Sequence, residues 1–133
     1  MQTELVSLDM SSRTFADITS DLSAFLKDRG DGLASVFVPH ATAGIAVIET
    51  GSGSEADLAE TLGRLLPRDD RWSHSHGSPG HGADHLLPAF VSPSLTIPVV
   101  AGELQLGTWQ SIVFVDTNRD NPQRNVRFSF IEG

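Results

Sequence analysis

The sequence contains no cysteine. That excludes disulfides and thiolate metal sites, and it fits a reducing compartment. Positive charge is also scarce: 9 lysines and arginines face 17 aspartates and glutamates, a formal net charge of −8. A surface of that sign argues against non-specific binding to nucleic acid or to an anionic membrane. It still allows a local basic pocket for a small phosphate ester. No apolar run reaches bilayer-spanning length, and the first residues lack the basic-then-apolar pattern of a signal peptide. The expectation is a cytoplasmic, soluble protein. Internal repeats and linker-like stretches are also missing. What remains is a globular composition: 133 residues, 39% hydrophobic and 20% charged. It predicts one domain over residues 1–133, burying about two thirds of its unfolded-chain surface.

Periodicity predicts strands over residues 2–8, with Leu5 and Val6 inward, and over 13–18. A helix over 20–29 follows, capped by Thr19 or Ser20, with Leu22, Phe25 and Leu26 at helical spacing. Residues 33–38 and 43–49 read as buried strands. Ser54 caps a second predicted helix, whose apolar positions are Leu58, Leu62, Leu65 and Leu66 and which Pro67 ends. Further strands are predicted over 95–100, over 104–116 with a break near Gly107, and over 125–131. Two groups of strands around helices indicate an α+β fold.

Four of the five histidines lie between residues 74 and 85, in a segment with Gly77, Pro79, Gly80 and Gly82 that reads as a loop. Neutral imidazole is a good ligand for zinc and similar divalent ions. His81 and His85 are four apart and share a face if a helix starts near Gly80, with Asp84 as a further ligand or as a support. His74 and His76 are two apart and point to the same side of an extended segment. The spacing matches none of the strong zinc signatures. Metal ligation, acid–base or phosphate chemistry, and a plain solvated loop therefore all stay open. His40, at the end of an apolar strand and followed by Ala41, Thr42, Ala43 and Gly44, is a site residue or a satisfied turn histidine.

Other groups carry paired readings. Glu49 ends a buried strand as a surface group or a site acid. Residues 51–54 (Gly-Ser-Gly-Ser) resemble a phosphate cradle before a helix but lack the lysine of a P-loop. In Leu106-Gly107-Thr108-Trp109-Gln110, tryptophan and glutamine suit a planar ligand, or the tryptophan belongs to the core. The segment from Asp116 to Arg124 is a polar hairpin loop that also offers carboxylates and two arginines.

Residues 40–45 (His-Ala-Thr-Ala-Gly-Ile), Glu49, His85-Leu86, Pro98 to Gly102, and the Leu-Gly-Thr-Trp-Gln block occur in one order. Together with the Asp116–Arg124 segment they resemble the secondary thiamine-phosphate synthase family, also called YjbQ-like. The resemblance implies a compact α+β subunit with mixed or antiparallel sheet and two or three helices. It implies a homotrimer with a polar pocket near a subunit boundary. The implied activity condenses a hydroxymethylpyrimidine diphosphate with a thiazole phosphate. His40, Glu49 and His85, with Arg124 at the departing phosphate, are the implied catalytic residues. Thr42, Trp109, Gln110 and Asp116 are the implied substrate-binding ones.

A divalent metal, zinc or magnesium, falls to His40, His76, His81 and His85, which are expected to converge. His76 is preferred over His74 because it leads into the glycine loop. His81 stands where the family usually has asparagine, and Ser52-Gly53 replaces a common Asp-Pro pair. A metal-dependent hydrolase of a small phosphate ester and a non-catalytic metal- or anion-binding protein are the alternatives.

Overall fold

The computed structural model describes residues 1–75 and 77–133. Its centre is a strand buried on both faces. This strand, β7 (Ser111–Asp116), has Ile112 and Phe114 on one face and Val113 and Val115 on the other, all at 0–1% exposure. In the order of the chain the other strands are β1 (Gln2–Asp9), β2 (Phe15–Asp17), β3 (Gly32–Phe37), β4 (Ala43–Ile48), β5 (Ser94–Val100), β6 (Glu103–Leu104) and β8 (Gln123–Glu132). The helices are α1 (Thr19–Leu26), α2 (Ser54–Leu65) and α3 (His81–Leu86), the last running into a 3₁₀ turn at Leu87–Ala89.

Strands β1-β8-β3-β5-β6 form one sheet and β2-β7-β4 a second. All their pairings are antiparallel. Ile112 and Phe114 pack with the inner face of the large sheet (Val36, Val126, Phe128) and with Leu22 and Leu26 of α1. Val113 and Val115 pack with Leu62, Leu66, Ala83 and Leu87 from the α2 and α3 side. The small sheet is therefore covered on both faces, which is why its middle strand reads as a continuous apolar run. The α+β class and the three-helix, antiparallel architecture agree with the expectation from sequence.

Local details differ. Leu5 and Val6 cannot both face inward, because successive side chains alternate. Val6 and Leu8 take the inner side, and Leu5 is 48% exposed. With Leu33, Phe37 and Ile131 it leaves the outer face of the large sheet partly apolar.

Neither predicted cap is a side-chain cap. Before α1, the Asp17 carboxylate accepts the Thr19 N–H at 3.0 Å. The Thr19 hydroxyl accepts the Ile112 N–H at 2.8 Å, tying the helix to β7. Before α2 the cap position is Gly53, left-handed at φ 96°, and the Glu55 carboxylate reaches back to the Gly51 N–H at 2.9 Å. Leu65 is exposed because it falls on the solvent face of α2.

One close approach positions the site. A Cβ at Gly44 would stand 2.0 Å from the Val91 carbonyl oxygen. Glycine there lets the segment after α3 lie directly on β4, where the Ile45 N–H donates to the Ser92 carbonyl at 2.7 Å.

Candidate metal centre

Three imidazoles meet on α3. His81 and His85, one turn apart, share a face of the short helix. His74 returns from the preceding segment and stacks on His81 with centroids 4.8 Å apart and planes at 10°. His85 lies 4.3 Å from each of the other two rings. Gly82 makes the approach possible, since a Cβ there would sit 2.3 Å from the His74 carbonyl oxygen.

One nitrogen from each ring falls within 4.8 Å of the other two. A tetrahedral zinc with nitrogens at 2.0–2.1 Å spaces its donors by roughly 3.4 Å, a contraction within reach of side-chain rotation. Neutral imidazoles are the right donors, and three of them leave a fourth position for water or substrate, as in catalytic zinc sites. His74 is exposed while His81 and His85 are half-buried, so the group opens to solvent on one side. Asp120 stands behind it with Oδ2 3.8 Å from His81 Nδ1. The Ser78 hydroxyl, donating to Asp120 at 2.9 Å, holds that carboxyl below the usual carboxylate range.

Asp84 fixes the helix that carries these rings. It is fully buried. Its Oδ1 accepts from Arg68 and, at 2.7 Å, from the Thr117 hydroxyl; its Oδ2 accepts from Asn118 Nδ2 at 2.9 Å. Asn118 in turn accepts the Asp120 N–H at 3.0 Å and donates its own N–H to Asp116 at 2.9 Å. Asp84 is thus a support rather than a member of the histidine group. Thr117, Asn118 and Asp120 belong to the Asp116–Arg124 segment, which the sequence marks as a polar loop offering carboxylates, Asp120 among them; Arg68 and Ser78 carry no sequence signal of their own.

His40 is not in the group, contrary to the expected convergence. Its Nε2 accepts the Asn125 N–H at 2.9 Å, which commits that lone pair to the backbone of β8. Beside it Arg124 donates through Nε to Asp116 at 2.6 Å and through Nη2 to Thr42 at 2.9 Å. Arg124 and Asp116 are 6% and 1% exposed, so the guanidinium expected at a departing phosphate is enclosed with its counter-charge. His76 lies outside the described residues, and His74 supplies the third ring.

Glu49, Trp109 and Gln110 stand elsewhere. In the β4–β7 register, Ala43 pairs with Asp116 and Ile48 with Ser111. Thr42, Asp116 and the Asp84 support lie at the first end; Glu49, Trp109 and Gln110 lie past the second. Five residue steps separate the ends, roughly 17 Å. Glu49 is exposed and accepts the Ser52 hydroxyl at 3.3 Å. Trp109 is 72% exposed, which removes the core reading. The Gln110 side chain closes its own turn by accepting the Gly107 N–H at 2.7 Å.

Burial holds the His40 imidazole below its ordinary range, and the Arg124 guanidinium acts in the same direction. The folded state therefore binds its proton less readily than the unfolded chain does. The resulting stabilisation is complete above the ordinary value of about 6.5 and is lost as pH falls from there through the folded value. His40→Gln keeps an acceptor for the Asn125 N–H but cannot titrate. In urea unfolding at pH 7 and pH 5, the wild type should lose more stability on acidification than this variant does; equal losses would contradict the assignment.

The comparisons agree with this fold. The family described as UPF0047 protein YjbQ-like matches residues 4–133. A UPF0047 protein of Mycobacterium tuberculosis is 62% identical over 133 residues, covering 100% of both chains. One from Methanothermobacter thermautotrophicus is 37% identical over 117 residues, covering 85% of this chain and 79% of that protein. Among solved structures, a hypothetical protein from Aeropyrum pernix K1 superposes with a TM-score of 0.91 at 30% identity, covering 100% of both chains. An uncharacterised YjbQ/UPF0047 protein from Clostridium acetobutylicum gives 0.86 at 28% identity, covering 96% of this chain and 99% of that one. The chain belongs to the UPF0047, or YjbQ-like, family.

Proposed function

We propose that His74, His81 and His85 hold a divalent metal ion, zinc before magnesium, and that the protein hydrolyses a small phosphate ester there. The observation that carries this reading is the convergence of three ring nitrogens within 4.8 Å on a helix anchored by a buried carboxylate. Magnesium prefers oxygen donors, so an all-nitrogen group favours zinc. A metal so held would polarise a phosphoryl oxygen or a water at the open position.

The remaining roles fall to the chain. A cavity of about 260 Å³ beside the centre is lined by His81, Ser75, Ser78 and Arg68; Ser75 offers a hydroxyl and Arg68 a guanidinium to a phosphate, while the Ser78 hydroxyl is committed to Asp120. Asp69 and Asp70 also line it. Asp69 is engaged by Arg71, whose hydrogen bonds hold its carboxyl below the usual range. Asp120 limits the turning of His81 from behind.

Protein dialysed against zinc and then buffer should retain about one zinc per chain by elemental analysis. Retention should weaken on acidification, because protons compete with the metal for the imidazole nitrogens. A His81→Ala, His85→Ala double variant with unchanged circular dichroism should retain none, and His40→Gln should retain it all. Zinc-dependent release of phosphate from a panel of small esters, abolished by chelation, completes the case. Zinc retention by the folded double variant, or ester turnover indifferent to chelation, would contradict the reading.

The condensation implied by the resemblance is a second reading, favoured by the exposure of Trp109. A tryptophan left open to solvent is a platform on which a pyrimidine or thiazole ring can stack. Because Glu49 and Trp109 lie at the far end of the small sheet from the histidines, a single chain does not enclose both. A trimer in which one subunit's Trp109 end meets the next subunit's histidine end would complete the site. The half-exposed Leu5, Leu33, Phe37 and Ile131 offer apolar surface for such contact.

This arrangement makes a distinctive prediction for mixed assemblies. His85→Ala and Trp109→Ala should each abolish formation of thiamine phosphate. Co-refolding the two in equal amounts should restore about a quarter of the sites, since each site draws its two halves from different chains. No recovery in mixed trimers, or a monomer by light scattering, would contradict a shared site.

A further inference from the structure

A second cavity, of about 280 Å³, lies between α2, α3 and the loop after β7. Its walls include Leu62, Leu66 and Leu87, and its rim carries Arg68, Thr117 and Arg119. Arg68 is matched by Asp84. Arg119 is not matched by any carboxylate among the described residues. It donates to the Arg13 carbonyl and, at 2.9 Å, to the Thr14 hydroxyl, which fixes the guanidinium at the mouth while leaving further N–H donors unused. The lining thus includes two guanidiniums and one buried carboxylate, a local excess of positive charge in a chain of net charge −8.

We infer that this cavity binds a small organic carboxylate with a short aliphatic body. The carboxylate meets Arg119, and the body lies against the leucines. The volume is at the lower end of small-molecule pockets, and an apolar wall with one oriented charged group is their usual chemistry. A planar guanidinium matches a carboxylate through paired N–H donors. The inference does not rest on the metal reading, because none of the three imidazoles lines this cavity and its anion partner is Arg119; Arg68 borders both cavities.

The test is isothermal titration of the full chain with hexanoate, with EDTA present so that no metal can take up the carboxylate. Hexanoate should bind saturably, one per chain, and hexylamine at least ten-fold more weakly. Arg119→Gln should weaken hexanoate at least ten-fold. So should Gly63→Leu, which fills the cavity from α2 at a position where an added Cβ meets nothing within 4 Å. Leucine also favours a helix over glycine, so this variant should fold.

Hexanoate that does not saturate by about 10 mM, a weak-binding limit, would overturn the proposal. Hexylamine binding as well as hexanoate would do the same. So would wild-type affinity in either folded variant. Where a substitution unfolds the chain, amide shifts in the unaltered protein decide. Hexanoate shifts centred on Gly63, Ala83 and Thr117 support the site; shifts centred elsewhere overturn it.

Discussion

A carboxylate with no exposure to water, Asp84, holds the helix that carries two of the three converging histidines. A buried charge persists only when its lone pairs are answered, and here they are answered by a guanidinium, a hydroxyl and an amide. Those donors come from the segment after α2 and from the loop after β7. One side chain therefore ties α3 to both of its neighbours. A six-residue helix is too short to persist alone in water, so its geometry is set by these contacts and by Leu87 below it. Asn118 carries the constraint further, to Asp120 beside His81 and to Asp116 beside Arg124.

The second constraint is the doubly buried β7. Its apolar residues leave no polar group along its length, so the polar side chains picked out by the sequence gather at its two ends. One end joins Asp116 and Thr117 to the histidine helix. The other leads to the turn with Trp109 and Gln110, exposed and shaped by its own hydrogen bonds.

Much of the fold was legible because it follows from periodicity. Leu22, Phe25 and Leu26 mark the buried face of α1, and the apolar run of β7 marks a strand covered twice. The caps were less legible. Thr19 and Ser54 have the right chemistry, yet Asp17 and Glu55 do the work, a choice made by backbone geometry that sequence spacing does not show.

At the site, the spacing of His81 and His85 anticipated their shared face. His40 could not be excluded by spacing, since its partner is a backbone N–H on a strand 85 positions away. The same holds for Asp84, whose partners come from segments 16 to 34 residues distant. Long-range hydrogen bonds of this kind leave no local pattern.

The central claim, a metal held by three imidazoles, is tested most directly by X-ray absorption at the zinc edge of the zinc-loaded protein. The account predicts a four-coordinate first shell with nitrogen and oxygen donors at about 2.0–2.1 Å, together with the outer-shell scattering of three imidazole rings. A six-coordinate oxygen shell without imidazole scattering would contradict it.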